Sequence, residues 1–153
     1  MKNLNDLANM FDKLANKIDE STEKGLEKTA QHIYQDVVEL APVATGVYRD
    51  SIQVFPIEKS NDEMSVVIGS KLNVGPAKIN GNFYNLGYLL EHGTLPHDIY
   101  PYDAQSLKFE IDGQEIFAKH VWHPGTIAQP HYSLALEKNK KLLHKYIVEE
   151  WRQ

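Results

Sequence analysis

The chain contains no cysteine. That excludes disulfides, thiolate metal sites and cysteine nucleophiles. It fits a reducing compartment without requiring one. Arginine is scarce, with Arg49 and Arg152 the only two. No segment is strongly basic: residues 1–41 carry about −3, residues 42–130 about −4 and residues 131–153 about +2, with His neutral. Tight binding to a phosphate backbone is therefore not expected. No apolar run approaches the roughly 20 residues that span a bilayer, so no membrane association is expected. The opening Met1-Lys2-Asn3-Leu4-Asn5-Asp6 lacks an apolar signal core. Synthesis in the cytoplasm is the expectation.

What remains is a chain of 153 residues with a net charge of −5 and 42% hydrophobic residues, the balance of a globular protein. Leu4, Leu7, Phe11, Leu14 and Ile18 fall at alternating spacings of three and four. Leu26, Ala30, Ile33, Val37 and Leu40 repeat the stripe after a shift near Gly25. Both mark a helix across residues 4–40, ended by Pro42, which pushes its predecessor out of helical geometry. Unbroken, it would be about 55 Å long, against a radius of gyration near 15 Å for a compact chain of this size. Either the helix breaks near Ser21–Gly25, or its first half projects and packs on another subunit. Its narrow first stripe is coiled-coil-like. We treat residues 1–24 as a helical arm and 25–153 as one α+β domain.

Downstream, Ser51–Glu58 and Met64–Ser70 read as a hairpin turning at Asn61-Asp62, with Pro56 confining one strand to an edge or bulge. Residues 71–83, with Gly75-Pro76, read as a mobile loop. Residues 84–92 predict a short helix capped by Gly93. Residues 95–106 look irregular. Asp112-Gly113 predicts a second hairpin, from Leu107–Ile111 to a returning strand over Gln114–Trp122. Pro130 is placed to open a final helix running to about Trp151. The fold class is α+β: an antiparallel sheet of about four strands, in two hairpins, against a long N-terminal and a C-terminal helix.

Candidate chemistry gathers around Glu91-His92-Gly93-Thr94. Adjacent residues on a helix do not face each other, which disfavours an acid–histidine pair. No Gly-x-Ser-x-Gly elbow, phosphate-cradling glycine loop or His-Glu-x-x-His signature occurs. A metal-dependent hydrolase would have to draw on His92, His120, His123 and Glu91, with Asp98 as another donor. On an extended strand, however, His120 and His123 would point to opposite faces. The structural reading makes Glu91 a brace held by backbone N–H groups or by Arg49, Gly93 a helix cap, and Thr94 a local hydroxyl-to-backbone lock. Arg49 could equally be held by Asp50. No cofactor or metal is expected. Two short echoes, His92-Gly93-Thr94 and Pro124-Gly125-Thr126, are too common a pattern to carry weight.

Three blocks stand in order along the chain: Ala41-Pro42-Val43-Ala44-Thr45-Gly46-Val47-Tyr48-Arg49-Asp50-Ser51-Ile52, then Tyr88-Leu89-Leu90-Glu91-His92-Gly93-Thr94, then Gln129-Pro130-His131. The series resembles the neck or tail-completion family of long-tailed bacteriophages, also described as head–tail connectors or minor tail components. The resemblance covers about residues 25–150. It departs at Tyr48, where leucine is commoner, and at His131, where a large apolar residue is commoner. Residues 95–121 look like an elaboration. The resemblance implies a non-enzymatic virion protein that forms a ring at the head–tail junction. Its partners would be neighbouring neck and tail-tube proteins, and DNA would pass without specific binding. It singles out Pro42, Thr45, Gly46, Arg49, Ser51, Glu91, Gly93, Thr94 and Pro130 as structural motif residues. The runner-up is the metal-dependent hydrolase; an antitoxin-like adaptor has only the acidic charge and long helix behind it.

Overall fold

The computed structural model describes residues 4–79, 82–101 and 104–153. The chain divides into two compact units: residues 1–41, 52–69 and 131–153 form the first, residues 42–51 and 70–130 the second. The class is α+β. Among the described residues the strands do not assemble into one four-stranded sheet; they form five separate two-stranded pairs.

The first unit is organised on α1 (Leu4–Leu40), a single helix of 37 residues with no break at Ser21–Gly25. The final helix expected from Pro130 to Trp151 is instead two helices, α4 (Tyr132–Asn139) and α5 (Leu142–Trp151), and α4 begins two residues after Pro130. Asn139 accounts for the interruption. Its buried side-chain amide donates to the Ala135 carbonyl at 2.9 Å and to the Asp36 carboxylate. A side chain that bonds the carbonyl four residues back competes with the helical ladder.

Helix α5 runs antiparallel to α1. Lys17 lies over the Trp151 ring, Gly25 faces Ile147, and His32 meets Tyr146. The stripe of large side chains in the first half of α1 continues into Ser21, Gly25 and Thr29, which are all buried. Small side chains let the two helices approach. A Cβ on Gly25 would lie 2.5 Å from Ile147 Cγ1 and 2.8 Å from the Ile147 backbone nitrogen. Gly25 is therefore a packing residue, and helix α1 absorbs its low propensity because burial compensates. Ala30, Val37, Ile52 and Ala135 are buried in this unit.

Beside α1, β1 (Ile52–Val54) pairs with β4 (Ile68–Ser70), and β2 (Glu58–Lys59) pairs with β3 (Met64–Ser65). The expected hairpin is present, interrupted where Pro56 cannot donate. Phe55 N–H donates to Val67 O at 2.8 Å just before the gap.

In the second unit, α2 (Val47–Asp50) is followed by β5 (Asn73–Ile79) and β6 (Asn82–Asn85), which pair antiparallel. The expectation of a loop over 71–83 is thus corrected; residues 80 and 81 lie outside the described residues. The register shifts between Asn73 and Lys78, around Pro76, which lacks the N–H that a regular ladder needs. Helix α3 (Leu86–His92) follows. Residues 95–106 are not irregular throughout: β7 (His97–Ile99) pairs with β10 (Val121–His123). β8 (Leu107–Ile111) and β9 (Gln114–Ala118) form the Asp112-Gly113 hairpin, with φ of 50° and 80° at its tip. The returning strand stops at Ala118 rather than Trp122, because Val121–His123 finds its partner in β7.

Two sign-specific expectations follow for the first unit. Gly25→Ala should gain up to about 1 kcal/mol of helix propensity, yet lose about 1–3 kcal/mol to overpacking against Ile147, so the net change in denaturant unfolding should be destabilising. Gly69→Ala, whose Cβ would meet nothing within 4 Å, serves as the tolerant control. A stabilised Gly25→Ala protein would show that the helices do not touch there.

Acid should act through two carboxylates. Hydrogen bonds from Lys138 and Asn139 hold the Asp36 carboxyl below its ordinary range, and a hydrogen bond from Lys28 does the same for Glu150. A lowered folded pKa contributes stability that is complete above the ordinary carboxylate range and is lost as pH falls through the folded value. Asp36→Asn should flatten the acid limb of stability against pH, leaving the curve near neutrality parallel to wild type. An unchanged acid limb would remove Asp36 from that role.

Candidate functional site

The first sequence block and the second converge in the second unit. Pro42 ends α1 and the chain turns through Gly46, whose φ of 85° is left-handed and favours glycine. Gly46 caps α2, its carbonyl accepting from Asp50 N–H at 2.9 Å. Tyr48 is buried. Arg49 reaches its neighbour, donating from Nε to Asp50 Oδ1 at 3.1 Å.

Ser51 starts a polar relay. Its hydroxyl donates to the Tyr48 carbonyl at 2.5 Å and lies 2.6 Å from the Ser70 hydroxyl. Ser70 Oγ in turn accepts from Leu72 N–H at 3.0 Å. The Asn85 amide donates to the Ser70 carbonyl, and Asn85 Oδ1 accepts from Gly87 N–H at 2.8 Å, capping α3. Leu86 N–H donates to Leu72 O at 3.1 Å. Ser51 in the first block is thereby tied to the helix that carries the second. Ser70 and Asn85 were not singled out from sequence. Asn85, immediately before an apolar helical run, was findable as a cap; Ser70 carried no signal.

At the other end of α3 two of the terminal carbonyls are satisfied. Gly93 N–H donates to Leu89 O at 2.8 Å, and Gln129 N–H, from the third block, to Leu90 O at 2.7 Å. Gly93 has φ 70° and ψ −176°, a region that is essentially closed to other residues. The two Gly-Thr echoes then pair with each other. Thr94 N–H donates to Thr126 O at 3.0 Å and Thr126 N–H to Thr94 O at 3.1 Å. The two hydroxyls lie 3.0 Å apart. A Cβ on Gly93 would stand 2.5 Å from Thr126 O, and one on Gly125 would run into Thr94 O. The Thr94 hydroxyl bond is therefore not local: Thr94 Oγ1 accepts from Thr126 N–H at 3.0 Å, across 32 residues. The echoes that looked too common to matter are the two halves of one clasp.

Together these connections shape an open groove of about 670 Å³, lined by residues 42–48 with Leu72, Leu86, Leu90 and Gln129. Thr45 and Gly46 are on its wall, and Val43 and Val47 remain well exposed. All three sequence blocks contribute. Its lining is aliphatic apart from Tyr48, Thr45 and Gln129, and among the described residues it carries no histidine or carboxylate.

The histidines scatter into pairs. His92 rests on Tyr88 with ring centres 4.4 Å apart, and His97 lies 5.1 Å from His123. His120 stacks on Tyr100, with its Nε2 4.0 Å from Asp98. His123 Nδ1 accepts from Gly125 N–H at 3.1 Å, which uses it to steady the clasp. Among the described residues, no three His, Asp or Glu side chains gather closely enough to hold a metal ion. His131, where an apolar residue was expected, is fully buried in the first unit and packs on Tyr132 at 4.5 Å between ring centres. It caps α4, its carbonyl accepting from Ala135 N–H at 3.1 Å.

Gly93→Ala and Gly125→Ala should each cost about 1–3 kcal/mol from backbone strain. Thr94→Val and Thr126→Val should be milder, with a coupling of roughly 0.5 kcal/mol or more between them in a double-mutant cycle. Strict additivity of the two threonine changes would separate the hydroxyls from the clasp.

No curated protein and no solved structure matched the chain. The model of the family described as "Bacteriophage HK97-gp10, putative tail-component" matches residues 5–93. The match begins upstream of the resemblance drawn from the sequence blocks, taking in the first half of α1, and ends at the glycine that caps α3. It covers more than half of the chain, and on that basis the protein belongs to the HK97-gp10-like family of bacteriophage tail components.

Proposed function

We propose that this protein is a non-enzymatic structural component of the phage head–tail junction, completing the neck or tail so that a tail can join a DNA-filled capsid. The observation that carries the proposal is the groove: three ordered sequence blocks are spent on backbone caps, a left-handed glycine turn and a Gly-Thr clasp that shape an apolar recess. A docking surface for neighbouring virion proteins needs such a rigid, partly exposed apolar face. Catalysis would instead need an acid, base or nucleophile set within mutual reach.

Two further features support the reading. The net charge of −5 suits a wall along which DNA slides without being gripped. The first half of α1 leaves Leu7, Met10, Phe11, Leu14 and Ile18 between 44% and 57% exposed. Burying the remainder of five such side chains is worth on the order of 5 kcal/mol, enough to favour self-association into a ring with the arm as one contact. Closed rings use heterologous interfaces of this kind. The protein would be made in the cytoplasm of the host bacterium and end in the virion.

A phage lacking this gene should yield filled heads and complete tails that fail to join, visible by electron microscopy. Complementation with a chain lacking residues 1–12 should fail although the purified variant still folds. That cut spares Leu14, Ile18 and Lys17, which lie against or over Trp151. Normal joined particles from the deletion would refute the junction role.

A further inference from the structure

We infer that the exposed stripe of α1 is received by an apolar groove on the first unit of a second copy of this chain. This deepens the self-association proposed above by naming both halves of the contact, and rests on it. The groove, about 420 Å³, is lined by Leu26, Ile33, Val66, Ile68, Leu136 and Leu143. It is distinct from the 670 Å³ recess in the second unit.

Helix continuity and charge identify the occupant. The stripe Leu7–Ile18 and the groove wall at Leu26 and Ile33 are parts of one unbroken helix. Phe11 and Thr29 are therefore about 27 Å apart along its axis at 1.5 Å per residue. A helix that contributes to the groove wall cannot fold its own first half into it, so the stripe can reach such a groove only on another molecule. The charges also match. Residues 5–20 carry four carboxylates, Asp6, Asp12, Asp19 and Glu20, against two lysines. Residues 131–153, which supply the α4 and α5 side of the groove, carry an excess of about +2. Lys140, paired with Glu137, stands at the groove itself. An acidic amphipathic helix meeting an apolar groove whose C-terminal wall carries net positive charge is a familiar recognition mode. Because stripe and groove are different surfaces, the contact is heterologous and propagates head to tail.

The test uses the full chain and three proteins, with self-association read by light scattering across a concentration series. The wild type should associate. Leu7→Asp with Phe11→Asp spoils the stripe, and Leu136→Asp spoils the groove; these side chains are all substantially exposed, and circular dichroism should show both variants folded. Each variant alone should be monomeric, with association weakened at least tenfold. Mixed at equal concentration they should form dimers and nothing larger, since one intact groove then meets one intact stripe. The groove variant associating as well as wild type would overturn the proposal in favour of stripe-on-stripe pairing. A mixture that stays monomeric, or a wild type monomeric throughout, would overturn it too. None of these outcomes depends on whether the gene-deleted phage joins its tails, so the two proposals fail separately.

Discussion

The close approach of α1 and α5 at Gly25 is the constraint on which the first unit depends. With no side chain at Gly25, Ile147 comes within contact of the α1 backbone, and the ion pair between Lys28 and Glu150 falls into place beside it. The Asp36 contacts with Lys138 and Asn139 extend the same antiparallel seam to α4. Further along α1 the small residues give way to Ile18 and Leu14, which lie against Trp151 at the end of α5, and then to Phe11 and Leu7. One continuous stripe thus changes role along its length: small and buried where the chain supplies a partner helix, large and exposed where it does not. The helix runs unbroken through a glycine because the buried half is held by packing rather than by propensity.

The second unit is held in a different currency. Among the described residues of this unit, Tyr48 is the large apolar side chain that is buried. The unit's order comes from backbone groups satisfied at defined points: both ends of α3, the Gly46 turn and the isolated bridge between Thr94 and Thr126. Among the described residues, no buried side-chain nitrogen or oxygen is left without a partner. Such a network is stiff where it is satisfied and intolerant of substitution at its glycines.

What the sequence disclosed follows from the range of each interaction. Helix α1, helix α3 with its Gly93 cap, and both tight hairpins were legible because their signals are local: apolar period, a cap, an Asp-Gly turn. β7 was not, since His97-Asp98-Ile99 has no alternating pattern and becomes a strand only by pairing with Val121–His123. The same distant pairing cut short the strand expected to reach Trp122. The break between α4 and α5 was hidden because Asn139 acts through a buried bond to Asp36, 103 residues away. At the site, Gly93 was visible, whereas Ser70 and Thr126 gained their meaning only from residues far along the chain. The shift of the apolar stripe at Gly25 is visible in the sequence, but its cause, the facing Ile147, lies outside any local window.

The extent of the family match sharpens how the site is built. It ends at Gly93, one residue before the clasp. The matched segment contains the first block, α3 and the cap, yet the groups that complete this corner come from beyond it: Thr126 for the clasp, Gln129 for the free carbonyl of Leu90. A segment ending at Gly93 would leave α3 with an unpartnered carbonyl and a glycine in a conformation that nothing enforces. The downstream residues of this chain are therefore part of the same construction. Between them and the cap lie β7 to β10, whose antiparallel pairing of β7 with β10 brings Pro124-Gly125-Thr126 back to Thr94. The region that looked like an elaboration is what returns the third block to the second.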